Sequence, residues 1–156
     1  MSGVAKILGL WGQLSSKPGG RWLFSKLVGL YVPYSGSIPI AVEHLEPGCA
    51  RIALKDKRRV RNHLNCIHAV ALVNLGEIAS GLAMYASLPQ HARGIVVSIE
   101  ATYLKKARGR LLAVSKCELP EINEVIDYPL HTDISDAQGE IVAQLKVTWR
   151  LEPKPQ

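Results

Sequence analysis

The chain has 156 residues, 47% apolar and 21% charged, which fits one folded domain with a real core and excludes disordered and collagen-like chains. A formal net charge of +6 points to anionic partners, but with one Phe, three Trp, five Tyr and no recognisable nucleic-acid motif, nucleic acid is not the expected one. The three cysteines, Cys49, Cys66 and Cys117, are widely spaced without a C-x-x-C pair, so reduced thiols in a cytoplasmic setting are expected, with no cofactor, disulfide or structural metal.

The N-terminal apolar clusters, residues 7–11 and 22–32, are cut apart by Lys17, Pro18, Gly19, Gly20 and Arg21. Neither can span a bilayer, and no cleavage site follows a signal-like core, so a soluble, unprocessed chain is expected. Leu23, Phe24, Leu27, Val28, Leu30 and Tyr31 recur at helical spacing, predicting a short amphipathic helix that ends before Pro33. Such a helix packs on the rest of the domain, or serves as a lid or peripheral membrane contact. The period then becomes two. Ile38, Ile40, Val42 and His44 alternate with polar or small neighbours, Glu46, Pro47 and Gly48 turn the chain, and Ala50, Ile52 and Leu54 alternate again, predicting a hairpin.

A basic run follows, with Lys55, Lys57, Arg58, Arg59 and Arg61, and then a helix from His68 to about Ser87. This helix is apolar almost all round, as expected of an element wrapped by the rest of the domain. Asn74, Glu77 and Ser80 interrupt it at intervals of three, predicting a narrow polar stripe. An ionised carboxylate in such surroundings costs several kcal/mol unless it is paired, hydrated or functional, so Glu77 has to be accounted for. Beyond Pro89, residues 94–107, 111–119, 125–135 and 141–151 read as four strands in a meander, the first with Ile95, Val97, Ile99, Ala101 and Tyr103 on one face. The expected division is an N-terminal helical segment over 1–34, a domain over 35–151 and a loose tail over 152–156.

Two strands, one long buried helix and four more strands make an α+β arrangement in which an antiparallel sheet curls around the helix. The order resembles the hotdog fold. The spacing of Asn62, His68 and Glu77 resembles the signature of PaaI-like acyl-CoA thioesterases, in which an Asn is followed by a His six residues later and an acidic residue nine beyond that. Tyr103, Leu104, Lys105, Lys106 and Ala107 are similar to that family's strand end. The wider text, from Trp22 through Pro33 and Pro47 to Gly109, is similar to a poorly characterised bacterial hotdog subgroup. The chain departs from the pattern where two glycines should follow the His, since Ala69 and Val70 stand there. A Ser or Thr expected on the first strand after the helix is Val96, and Ser98, read as lying on the same face, is the nearest hydroxyl.

The resemblance implies a homodimer or homotetramer that cleaves an acyl-CoA or acyl-carrier thioester at an interface shared by two subunits. The chemistry agrees. The first backbone N–H of a helix, here Ala69, can hold a developing oxyanion, and Glu77 can activate water. His68 would orient the thioester or Asn62, or merely cap the helix; Asn62 is otherwise a turn residue, and Glu77 otherwise half of an ion pair. Ser98, Arg58, Arg59 and Arg61 are candidate substrate contacts, the arginines for coenzyme A phosphates. Two other readings stand beside hydrolysis: a hotdog hydratase or dehydratase pairing His63 with Glu77, and a non-catalytic acyl-CoA or lipid-binding hotdog protein.

Overall fold

The computed structural model describes residues 3–155, with side chains from Lys6 onward; the first two residues of the N-terminal segment and Gln156 of the tail lie outside the described residues. Helices α1 (Gly3–Ser15) and α2 (Gly20–Tyr31) lead into strands β1 (Ile40–Glu46) and β2 (Cys49–Leu54). The central helix α3 (Ala69–Tyr85) follows, then β3 (Ala92–Tyr103), β4 (Leu111–Lys116), β5 (Ile126–Ser135) and β6 (Ile141–Pro153). No described helix is long and apolar enough to cross a membrane.

The six strands form one antiparallel sheet in the order β1-β2-β4-β5-β6-β3, and α3 touches all six. This is the hotdog arrangement. The expected meander is corrected at one point, because β3 pairs with β6 and not with β4. The chain therefore crosses from one edge of the sheet to its middle after β3, a non-local choice that strand periodicity does not carry. β6 also runs through Pro153, past the expected end at 151, and the backbone N–H of Lys154 donates to the His91 carbonyl.

The core forms between the concave face of the sheet and α3, with Leu75, Ile78, Ala79 and Met84 of the helix against Ile52, Leu111, Ile134, Leu145 and Leu151 of the strands. Close approach requires a missing side chain. A Cβ on Gly76 would lie 2.5 Å from the Leu145 side chain, and one on Gly81 3.3 Å from the Trp149 ring. The two glycines thus let β6 come against the helix. That closeness outweighs the roughly 1 kcal/mol each costs in helix propensity relative to Ala.

The two edges of the sheet differ. On β1, the Val42 N–H donates to Ser25 Oγ at 2.8 Å, and α2 lies against the strand. β3 has β6 on one side and no strand on the other among the described residues, leaving a row of backbone groups unpaired. A bulge lies between Val96 and Ser98: Val96 is in register with Trp149, whereas Ser98 is in register with Thr148. Directly opposed residues share a face, so the bulge corrects two expectations. Ser98 stands on the outer face, away from Val96, and Ile95 is turned out while Ile99, Ala101 and Tyr103 are turned in.

Candidate active site

The start of α3 is pinned by its neighbours. The Ile67 N–H donates to the Ala107 carbonyl at 2.8 Å and the His68 N–H to the Val60 carbonyl at 2.8 Å. His68 is the N-cap, its Nδ1 accepting from the Val70 N–H at 3.1 Å. Using Nδ1 as the acceptor places the proton of the neutral ring on Nε2, which remains available as a donor. The Ala69 N–H, one residue into the helix, makes no hydrogen bond among the described residues, and Ala69 is an exposed residue. A free N–H beside the positive end of a seventeen-residue helix can hold an oxyanion.

Asn62 is more committed than its spacing implies. Its Oδ1 accepts from the Leu64 N–H at 2.9 Å, the Cys66 N–H at 3.3 Å and Cys66 Sγ at 3.3 Å, closing the loop before the helix. Only its amide nitrogen is left for another partner. His63 lies exposed in that same loop.

Glu77 is half-buried and has neither an ion pair nor a side-chain hydrogen bond among the described residues. The structural ion-pair reading is thereby set aside. Burial pushes its carboxyl up from the usual carboxylate range. Its expected companions in a polar stripe part from it: Asn74 is buried and donates toward the Tyr34 carbonyl, while Ser80 accepts from Trp149 Nε1 at 3.2 Å inside the core. Glu77 instead lies on the strip of α3 that the sheet leaves uncovered, with Val70, Val73 and Tyr85. Burial also raises the Tyr85 hydroxyl, and the nearby Glu77 and Tyr31 push it the same way.

The cleft beside the helix start, about 280 Å³, is lined by Arg59, Arg61, His68 and Val70 among others. Glu77 is not part of it. His68 and Glu77 are nine residues apart, about 13 Å along a helix axis and on opposite sides of it. One protomer therefore does not bring its own two candidates together.

The basic run also divides. Arg61 donates to Asp56 Oδ1 at 2.6 Å and to Asn65 Oδ1 at 3.1 Å, and Asp56 Oδ2 accepts from the Gly109 N–H at 2.8 Å. Arg61 is thus a brace of the loop, although it borders the cleft. Lys105 is held by Asp136 and Glu140, and Arg110 by Glu43. Arg58 and Arg59 have no ion pair among the described residues. Sequence reading missed Tyr85, and read Tyr103 only as a strand-face and strand-end residue; both tie α3 to the edge strand, Tyr85 OH donating to the Gly94 carbonyl at 2.9 Å and Tyr103 OH to the Ala69 carbonyl at 3.3 Å. An aromatic at each end of a helix–strand unit was the available signal.

The chain belongs to DUF4442, a family described as a domain of unknown function, which it matches over residues 20–151. A structural-genomics crystal structure is similar at 26% identity with a TM-score of 0.82, covering 97% of this chain and 99% of that one. A Pseudomonas aeruginosa protein of unknown function, described as a probable thioesterase, has 23% identity and a TM-score of 0.72 over 83% of this chain and 91% of its own. A thioesterase from Staphylococcus aureus has 16% identity and a TM-score of 0.68 over 78% and 99%. No curated protein sequence matches. These likenesses establish the fold, a hotdog-type domain.

Proposed function

We propose that this protein is a cytoplasmic acyl-CoA thioesterase, working as a homodimer or homotetramer with its site shared between two copies. The observation that carries the reading is Glu77: a half-buried carboxylate without a partner among the described residues, on the uncovered strip of α3 beside an open edge strand. In this reading the Glu77 carboxylate takes a proton from water, and the hydroxide adds to the thioester carbonyl. The Ala69 N–H of the second copy holds the oxyanion, with the His68 Nε2–H positioned beside it. Collapse breaks the carbon–sulfur bond, and Glu77 returns the proton to the departing thiolate. Arg58 and Arg59 would meet coenzyme A phosphates at the loop, with Arg61 holding that loop in shape. The outward turn of Ser98 removes it from this scheme, and the amide nitrogen of Asn62 is what that residue can still offer a substrate.

The binding-only reading is favoured by one feature, Val70. Its branched side chain is 53% exposed next to the Ala69 N–H, where a glycine would leave the approach open. A panel of acyl-CoA substrates assayed for released thiol decides between the two. Release by the wild type that is lost in Glu77→Gln supports hydrolysis, and saturable binding with no release supports the binder.

A further inference from the structure

The hairpin at the opposite side of the sheet carries a second constellation. His44 and Glu46 on β1 and Cys49 on β2 offer ligand atoms that all lie within 4.8 Å of one another. Their convergence follows from local geometry. Glu46 is in register with Cys49 and His44 with Arg51, while Leu45 and Ala50 between them are buried, so the three side chains share the outer face away from α3. The turn between them is built tightly. Gly48 sits at φ 75° and its carbonyl accepts from the Cys117 N–H at 2.8 Å; a Cβ there would lie 2.4 Å from the Cys117 carbonyl oxygen. The donors are also little used, since the one contact within the set is His44 Nε2 to Glu46 Oε1 at 3.3 Å.

We propose that His44, Glu46 and Cys49 form a binding site for a divalent metal of the zinc class. One imidazole, one carboxylate and one thiolate match the donor types zinc takes, and neither magnesium nor calcium accepts a thiolate readily. In a tetrahedral zinc site the ligand atoms stand about 3.5 Å apart, a closure that side-chain torsions supply, since Glu46 is exposed and His44 and Cys49 are only half-buried. On binding, the Cys49 thiol loses its proton to solvent as the sulfur–metal bond forms, so two anionic ligands balance the dication. Lys116 of β4 is in register with Cys49 and so stands on the same outer face. Arg21, Arg51 and Lys116 line the open cavity of about 610 Å³ over the site, which leaves water or a small anion as the fourth ligand. Sequence spacing alone hides the set, because its members come from two strands and meet only when the hairpin closes.

The test uses the purified full chain, with Co²⁺ as a spectroscopic probe and Zn²⁺ in calorimetry. One Co²⁺ per chain is expected, with the near-ultraviolet charge-transfer band of a cobalt–thiolate bond. Cys49→Ser should abolish that band, and His44→Ala or Glu46→Gln should weaken Zn²⁺ binding at least about tenfold. Cys117→Ser, which alters the neighbouring thiol, should leave both unchanged. The fold of each variant is checked by circular dichroism. Zinc binding undiminished in the His44→Ala, Glu46→Gln, Cys49→Ser triple variant overturns the proposal, as does the absence of a thiolate band at saturating Co²⁺.

Discussion

The Tyr85 hydroxyl donates to the Gly94 carbonyl at 2.9 Å, joining the end of α3 to the beginning of β3. With Tyr103 bonded to the Ala69 carbonyl at the other end, helix and edge strand run antiparallel as one unit. The uncovered strip of α3 and the open edge of β3 therefore form a single face. That face exposes Val70, Tyr85, Val97, Ile99 and Tyr103, the kind of contiguous apolar surface that marks an interaction site.

Glu77→Gln should retain the fold and lose on the order of 100-fold or more in turnover, because an amide cannot accept the proton of water. Its stability should rise at neutral pH. The Glu77 carboxyl is raised in the folded state by burial, so the native protein favours the protonated form. The stability linked to it is full below the ordinary carboxylate pKa and is lost as pH climbs through the raised value. Gln removes that loss, and a gain of even about 1 kcal/mol would move the Tm by roughly 3 °C. Thermal melts across pH 4 to 8 would show the two proteins diverging upward in pH; parallel curves would contradict the raised carboxyl.

A shared site has a complementation signature. His68→Ala and Glu77→Gln should each be inactive alone, yet mixed subunits should regain roughly a quarter of the wild-type sites, since half the dimers pair unlike chains and one of their two sites is whole. Subunits are exchanged by co-expression with two affinity tags. No recovery in the isolated mixed species would place the whole site within one chain.

The open edge predicts assembly and its loss. Ile99→Asp puts a charge into the apolar face beside the unpaired backbone of β3 and should shift the protein from dimer or tetramer to monomer in sedimentation. Activity should fall with the assembly. A wild type that sediments as a monomer at micromolar concentration would remove the interface.

Arg59→Gln together with Arg58→Gln should raise the KM for acyl-CoA with little change in kcat, and should flatten its dependence on salt. Arg61→Gln should behave differently, as a loss of stability. The Arg61 guanidinium holds the Asp56 carboxyl below its ordinary value, so this contribution is present above the unfolded pKa and vanishes as pH falls through the lowered one. Acid unfolding of Arg61→Gln should therefore converge with that of wild type at low pH, measured by circular dichroism.

Gly76→Ala should destabilise by about 1–3 kcal/mol, as a new methyl meets the buried Leu145. Gly81→Ala should be close to neutral, because a contact of 3.3 Å to the Trp149 ring is offset by the gain in helix propensity. Urea denaturation would rank the two, and the reverse order would refute this packing.

Periodicity alone determined most of the elements here: the change from helical to alternating spacing after Pro33, the all-round apolar helix after His68, and the strands that follow each state a local preference that tertiary contacts then satisfied. Glu77 stood out for the same reason, since a carboxylate in an apolar helix is an energetic anomaly visible in one dimension. Tertiary structure decided what spacing leaves degenerate. The bulge at β3 turned Ser98 outward because one inserted residue reverses the alternation of everything after it. Asp56 captured Arg61, Cys66 captured Asn62, and β3 chose β6 over β4; each is a pairing between residues or strands that only a closed chain brings within reach.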